Sequence, residues 1–298
     1  MASRPIALAT CARFPALYAE EAELPARFAA AGVPCEPAIW NAPEVDWSRF
    51  RAVVLRSVWD YFERPDEFHA WCDRLERLGV AVVNPLALVR WNQDKRYLAE
   101  LAAKGVRTLP TAFFARGSQP DLAAEIARRG WGEVVLKPSV SGGAYRTYRI
   151  PAGSAASFAP QLAEILGVCA AMVQPFAPEI LTDGEWSLFF FGGAFSHALV
   201  KRPAAGDFRS QPLLGASATA AEPAPAAIDE ARRILELLPA PATYARIDGI
   251  HVQGRFHLME VEAIEPYLFT AGRAGALDRY VACVIAALPG PERARRPA

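Results

Sequence analysis

The residues best suited to chemistry lie late in the chain, in two β-like runs either side of Gly254. The first is Tyr244-Ala-Arg-Ile-Asp248 and the second Leu258-Met-Glu260-Val-Glu262. Side chains two apart on a strand share a face. Glu260 and Glu262 therefore point one way, and Arg246 and Asp248 do the same. A hairpin centred on Gly254 sets Asp248 opposite Glu260 and Arg246 opposite Glu262. Three carboxylates and one guanidinium then crowd one patch of an otherwise apolar sheet. Such charges are expensive to bury without compensation. Two readings fit the patch. One is a set of solvated cross-strand ion pairs, which are common and worth little. The other is a divalent metal, Mg²⁺ or Mn²⁺, held by hard oxygen ligands.

Further candidates lie upstream. Lys137 ends the apolar run Glu133-Val-Val-Leu and precedes Pro138-Ser-Val-Ser141-Gly142-Gly143. A lysine there can meet a phosphate while loop N–H groups cradle the rest. The loop matches neither GxxxxGK[ST] nor GxGxxG, so a surface strand end with a flexible turn is the competing reading. Lys95 follows Trp91-Asn-Gln-Asp at the start of a helix. Gln174-Pro-Phe176 follows a buried-looking strand whose end suits an adenine edge. Lys201 and Arg209 bracket a loop. Each has a plain alternative, as a solvated cation or an ordinary strand exit. His197, on an alternating strand, reads as a structural hydrogen-bonder.

The elements that must position these residues follow from periodicity and punctuation. Strands are expected at 6–10, Cys35–Trp40, Ala52–Ser57 and Ala81–Val83. Helices are expected at Glu20–Ala31 and Asp66–Leu78. This alternation implies an open parallel sheet, in a first domain over 1–90. A helix from Asn92 to Lys104 follows, then a strand at Thr111–Phe114 and a helix at Leu122–Arg129. Strands at 133–137 and Tyr145–Ile150 enclose the Ser/Gly loop. Next come a helix at Ser154–Leu166 and a strand at Ala170–Gln174. Gly192-Gly193 joins two strong β runs as a hairpin. Residues 203–225 read as a long loop or lid. Helices at Ile228–Leu238 and Leu277–Leu288 flank the acidic hairpin.

Bulk properties exclude some functions. The chain has 298 residues, zero formal charge and 52% hydrophobic content. It can bury a large core, and it gives no electrostatic case for nucleic acid or an anionic membrane as partner. The basic run Arg293, Arg295, Arg296 reads as a solvated tail. Five dispersed cysteines without CxxC suggest neither disulfides nor zinc. The apolar run at the start is too short for a signal peptide, and no stretch approaches a membrane span. A cytoplasmic protein is expected. The first βα turn, Thr10–Pro15, lacks glycine, which argues against a dehydrogenase.

The order of motifs resembles the ATP-grasp superfamily, of the glutathione-synthetase-like kind, over roughly residues 85–290. It is most similar to the subgroup containing the O-ureido-serine cyclo-ligase of D-cycloserine biosynthesis. The supporting stretches are Leu55-Arg-Ser-Val-Trp-Asp-Tyr61, Trp91-Asn-Gln-Asp-Lys-Arg-Tyr-Leu98, Gly184-Glu-Trp-Ser-Leu-Phe-Phe-Phe191, Phe195-Ser-His-Ala-Leu-Val-Lys201, Gly206-Asp-Phe-Arg209 and Leu258-Met-Glu-Val-Glu-Ala-Ile-Glu-Pro266.

The resemblance implies an α/β (α+β ATP-grasp) fold. A pre-ATP-grasp α/β domain at 1–90 precedes two ATP-grasp subdomains, at 91–175 and 176–298, which enclose the nucleotide. Lys95 and Lys137 would contact ATP phosphates beneath a loop of Ser141, Gly142 and Gly143. Gln174 and Phe176 would hold adenine, and Glu185 would reach the ribose or adenine side. Lys201 and Arg209 would stabilise the transferred phosphoryl group. Arg246 would be a counter-charge, catalytic or structural. Asp248, Glu260 and Glu262 would hold Mg²⁺ or Mn²⁺, although the superfamily usually has Asn at the third position. Leu214-Gly-Ala216 stands where a Gly-Gly pair is usual. Arg56, Ser57, Trp59, Asp60 and Tyr61 are the expected substrate cluster, with Arg56 on a carboxylate and Asp60 on an amino group; interdomain packing is the alternative for them.

The implied function is ATP-dependent activation of a small carboxylate as an acyl phosphate and its capture by a nitrogen nucleophile. Ring closure within one molecule and ligation between two both remain open. So does a nucleotide-binding protein that has lost catalysis. The implied partners are the small substrates, with neither nucleic acid nor membrane; a homodimer is compatible.

Overall fold

The structure, a computed structural model, describes residues 4–290. The basic run at Arg293–Arg296 and the first three residues lie outside the described residues. The elements, in order, are β1 (Ile6–Thr10), α1 (Leu24–Ala30), β2 (Cys35–Ile39), β3 (Ala52–Leu55), α2 (Pro65–Arg77), β4 (Ala81–Val83), α3 (Leu86–Asn92), α4 (Tyr97–Ala103) and β5 (Ala112–Phe114). Then come α5 (Leu122–Arg128), β6 (Val134–Pro138), β7 (Tyr148–Ile150), α6 (Ala159–Val168), β8 (Ala171–Pro175), α7 (Glu179–Thr182), β9 (Glu185–Phe191) and β10 (Ala194–Arg202). The chain continues with β11 (Ser217–Ala220), α8 (Pro225–Glu236), β12 (Tyr244–Val252), β13 (Arg255–Glu262) and α9 (Ala276–Ala287).

Three sheets form. The first is wholly parallel, in the order β2-β1-β3-β4. Every residue of β1 and β3 is buried, as expected when helices cover both faces of a parallel sheet. Ile6, Leu8 and Val54 meet Phe28 of α1 and Tyr280 of α9. Ala7, Val53 and Leu55 face the cluster holding Phe68 and Trp71 of α2. The second sheet, β5-β8-β6-β7, is antiparallel, with Ile126 of α5 and Leu162 and Ile165 of α6 in its core. The third, β11-β10-β9-β12-β13, is also antiparallel. Its core gathers Leu188, Phe190 and Ile247 with Leu101 of α4 and Ala231 and Ile234 of α8.

Four departures from the sequence expectation have local causes. The helix expected from Glu20 starts at Leu24, next to Pro25, a residue suited to the first helical turn. Residues Ala19–Glu21 form a separate 3-10 turn, and Glu21 is drawn inward onto Arg56 and Ser57. The helix expected from Asn92 starts only at Tyr97, as α4, and a separate, unexpected helix α3 ends at Asn92; between them the Lys95 N–H donates to Ser139 O at 2.8 Å across to the second sheet. The strand expected from Tyr145 starts at Tyr148, after Ala144 and Arg146 take positive φ of 61° and 48°. Part of the expected 203–225 loop is β11, paired with the outer edge of β10.

Candidate active site

The hairpin β12–β13 forms in the register that its alternation implies, with Arg246 opposite Glu262 and Asp248 opposite Glu260. A bulge follows between Asp248 and Gly249. Gly249 is required there: a Cβ would stand 2.5 Å from His257 O and 2.4 Å from the Phe256 ring. The free edge of β13 is completed by side chains. Asn92 Nδ2 donates to Val261 O at 2.7 Å, and Asn92 Oδ1 accepts from Ala263 N at 2.8 Å. The Tyr97 hydroxyl accepts from Val261 N at 2.9 Å. At the other end, Asn84 Nδ2 donates to the carbonyls of Tyr244 and Ala263 at 2.9 and 2.7 Å.

The acids face a cavity of about 720 Å³ lined by the second and third sheets and by loops that follow β1 and β3. Asp248 is buried under a dense set of donors. Arg246 Nη2 reaches it at 2.8 Å, Ser187 Oγ at 2.7 Å and Lys201 Nζ at 3.3 Å. Burial opposes its charge, but Arg246 and Lys201 outweigh burial and hold its carboxyl well below the usual range. Lys201 also donates to Glu185 at 2.9 Å. Burial pulls its pKa down, and the attraction of Asp248 and Glu185 more than restores it. Arg246 bridges from Asp248 to Glu262. Burial, with Asp248, Glu260 and Glu265 as like-charged neighbours, pushes Glu262 above the usual carboxylate range against the pull of Arg246.

On the facing wall, Lys95 pairs with Glu260 at 3.0 Å and donates to Ser141 O. Lys137 makes no ion pair among the described residues. Its burial, with some repulsion from Lys95, lowers its pKa despite the pull of Glu260. An unmatched cation of this kind suits an incoming anion. Gly142 lies against Phe62: a Cβ there would come within 2.9 Å of the ring. The Ser/Gly loop is thereby seated on the turn that carries Phe62, at the cavity.

At the far end, Gln174 donates to Thr111 Oγ1 at 2.9 Å. The Phe176 ring carries the Arg149 guanidinium at 3.8 Å from its centroid and meets Phe208 edge-on at 6.2 Å. Arg209 lines the cavity but is held by Asp207, with Nη2–Oδ2 at 2.7 Å. Glu185 bonds Lys201 and Ser210.

The cavity thus gathers Lys95, Lys137, Ser141, Gly142, Gly143, Gln174, Phe176, Glu185, Lys201, Arg209, Arg246, Asp248, Glu260 and Glu262. Of the expected substrate cluster it takes only Trp59 and Tyr61. Arg56 is wholly buried, its guanidinium committed to Glu21, to Pro266 O at 3.0 Å and to the Tyr280 hydroxyl at 3.2 Å. It cannot anchor a substrate carboxylate. Ser57 donates to Glu21 at 2.8 Å, and Asp60 accepts from Trp40 Nε1 at 2.7 Å. Sequence reasoning passed over Asn92 and Tyr97 as supports and Tyr18, Glu20, Tyr267 and Arg273 as lining residues. For Asn92 and Tyr97, the signal was their spacing of three and two residues from Lys95. Nothing in the pattern singled out Arg273.

His197 is structural in its contacts. It stacks on Phe189 at 4.2 Å, and Nε2 lies 3.0 Å from Leu268 O. That carbonyl requires the proton on Nε2.

The donor set fits a divalent metal by its chemistry, since hard carboxylate oxygens crowd one end of a cavity with a phosphate-suited lysine. Among the described residues no group of three potential ligands has already converged to metal distance. Each acid is instead held by a cation of the protein.

Three antiparallel or parallel sheets around such a site are the architecture of the ATP-grasp ligases, and the chain has that fold. Within it, the chain stands near the D-cycloserine synthetases. Residues 6–84 match the family of D-cycloserine synthetase DcsG N-terminal domains. The cycloserine biosynthesis protein DcsG of Streptomyces lavendulae is 38% identical over 174 residues. That match spans 57% of this chain and 58% of the relative's length. The crystal structure of D-cycloserine synthetase DcsG superposes with a TM-score of 0.87 at 29% identity, covering 95% of this chain and 99% of that one. The fold also matches D-alanine–D-alanine ligase from Bacillus anthracis in complex with ATP (TM-score 0.67, 16% identity, 95% and 98% covered). A third match is the ligase PsnB with minimal precursor, Mg and ADP (0.61, 15%, 94% and 96%). No helix among the described residues is long and apolar enough to cross a membrane.

Proposed function

We propose that this protein is an ATP-dependent carbon–nitrogen ligase that activates a small amino-acid-like carboxylate as an acyl phosphate. The observation that carries the reading is the confrontation of Lys95, Lys137 and Lys201 with Asp248, Glu260 and Glu262 across one enclosed cavity. Lys95 and Lys137 bind the polyphosphate beneath the Ser141–Gly143 loop. Gln174 and Phe176 hold the adenine end. Lys201, buried and charged, stabilises charge on the phosphoryl group in transfer, and Arg209 joins it from the neighbouring loop. Arg246 holds Asp248 in place and lies within reach of the reacting carboxylate. Asp248 and Glu260 would hold Mg²⁺, which supplies charge neutralisation on the phosphates when bound. The Ser/Gly loop and residues 203–216 keep water from the acyl phosphate, which would otherwise hydrolyse.

The likeness to cycloserine synthetases favours ring closure within one substrate. Five free thiols fit a reducing cytoplasm. The test is ADP formation from Mg-ATP with candidate acids, with and without an added amine. Asp248→Asn should abolish ADP formation; retained turnover would remove the site assignment. Turnover that strictly needs a second amine would remove the cyclisation reading and leave intermolecular ligation.

A further inference from the structure

Glu133 and Arg149 stand outside the cavity, yet both are bonded to a residue that lines it. Glu133 immediately precedes β6. Arg149, on β7, lies opposite Val135 of β6, which in turn lies opposite Gln174 of β8. Arg149 Nε donates to Glu133 Oε1 at 2.7 Å, and Nη2 donates to Oε2 at 2.9 Å. This two-point contact fixes the plane of the guanidinium. The same hydrogen bonds hold the Glu133 carboxyl below the usual carboxylate range.

The guanidinium so fixed lies over the Phe176 ring, 3.8 Å from its centroid. Phe176 lines the cavity and Arg149 does not, so the cation covers the outer face of the ring and the cavity sees the rest. Glu133 holds Phe176 a second time, because its carbonyl accepts the Phe176 N–H at 2.9 Å. One residue therefore fixes the backbone of Phe176 directly and its ring through Arg149. Phe208 meets the same ring edge-on from the loop that carries Arg209, with centroids 6.2 Å apart. A half-exposed ion pair is worth little by itself. This pair differs because its cation is laid on an aromatic face, which attracts it. The ring is thereby held in one orientation before any ligand arrives, and a ligand that stacks on it has less freedom to freeze.

We propose that Arg149, held by Glu133, is a positioning residue for the nucleotide: it sets the Phe176 ring in the orientation on which the base stacks, without itself touching the nucleotide. The inference rests on the ligase reading for the presence of a nucleotide, and goes beyond it in naming the pair that aims Phe176.

The test is calorimetry of Mg-ADP binding to the full chain. Phe176→Leu should weaken ADP by about tenfold or more, the loss of one base–aromatic stack. Arg149→Met keeps the bulk of the side chain and removes its charge. It should weaken ADP by about two- to fivefold, the factor that corresponds to one partly exposed cation–π contact. Glu133→Gln should act in the same direction, and Arg149→Lys, which can still pair with Glu133 and cover the ring, should fall between Arg149→Met and wild type. The decisive variant combines Arg149→Met with Phe176→Leu. It should bind ADP as Phe176→Leu does, because a residue that acts through another adds nothing once that other is gone. If the two losses add in full, Arg149 acts on the strands in general and the proposal is overturned. Unchanged or tighter ADP binding in Arg149→Met overturns it too. Wild-type affinity in Phe176→Leu would remove the base from this ring, and with it the proposal, while leaving a nucleotide-binding ligase standing. Absence of Mg-ADP and Mg-ATP binding to the wild-type chain would remove the ligase reading and this inference together.

Discussion

Asn92→Ala is the sharpest test of how the acidic strand is held. Asn92 is buried, and its amide acts as a short extra strand along the open edge of β13. Truncation leaves the Ala263 N–H, wholly buried, without an acceptor, whereas Val261 O keeps the Tyr97 hydroxyl at 3.1 Å. One orphaned buried donor plus one lost hydrogen bond is about 2–3 kcal/mol. Glu262 lies directly before Ala263 and Glu260 directly before Val261, so the loosening falls on the acids themselves. We expect chemical denaturation to show that loss and ADP formation to need more Mg²⁺ for half-maximal rate. Asn92→Asp should be worse than Asn92→Ala for Mg²⁺ dependence, because it keeps the acceptor for Ala263 but sets a carboxylate against Val261 O beside Glu260. Stability within about 0.5 kcal/mol of wild type, which is the range of an ordinary surface substitution, would refute the edge-strand argument.

Three further outcomes are expected. Gly142→Ala should raise the KM for ATP several-fold, because its Cβ meets the Phe62 ring; combining it with Phe62→Ala should recover part of the loss, and an unchanged KM in Gly142→Ala would mean that the loop is not seated there during turnover. His197 should make the fold acid-sensitive: burial lowers its pKa to about 4, with Arg273 and Arg279 adding to burial and the Leu268 carbonyl opposing it. The unfolded chain then takes a proton below about pH 6.5 that the folded chain refuses, so stability falls between about pH 6.5 and 4, by at most about 3 kcal/mol. An equal slope in His197→Gln would discount this. Glu262→Asn should lower stability by about 1 kcal/mol through the lost Arg246 pairing while leaving Mg²⁺ affinity within a few-fold; a larger fall would make Glu262 a ligand.

The parts of this site legible in the sequence were those with a period. Acids alternating with apolar residues around Gly254 gave the hairpin register, because a slip by one residue would bury the wrong face. The Lys137 strand was legible as an apolar run closed by Pro138 and a Ser/Gly loop. Features made by tertiary contact were not. The split between α3 and α4 depends on Ser139 O, 44 residues from Lys95 in sequence. Arg56 stood at the end of a parallel strand, where ligands usually bind. What removed it was Glu21, which sits in a 3-10 turn where the sequence suggested helix. Arg273 lies in an aperiodic stretch, Thr270-Ala-Gly-Arg-Ala-Gly275, and only the cavity distinguishes it from other surface arginines.

The ion pairs at the centre bear directly on the ligase reading. Lys95 holds Glu260, Lys201 holds Asp248 and Glu185, and Arg246 holds Asp248 and Glu262. The reading assigns Lys95 and Lys201 to phosphates and Asp248 and Glu260 to metal, so neither of those assignments can be filled while these pairs remain intact, and of the three cavity lysines only Lys137, unpaired among the described residues, is free to meet a phosphate first. Both can be filled together. A polyphosphate offers the lysines new anions, and the carboxylates they release are then free for a divalent cation, with little change in total charge. Such an exchange avoids leaving a buried charge unpaired at any stage, which would cost several kcal/mol. Glu262 stands apart in this scheme, because its partner is Arg246, which is not assigned to a polyphosphate and has Asp248 as a second acid. Exchange at Lys95 and Lys201 frees Glu260 and the Lys201-facing side of Asp248 but leaves Arg246 on both Asp248 and Glu262, so the extra carboxylate at the position where the superfamily usually carries Asn is explained as the partner that keeps the Arg246 guanidinium in place.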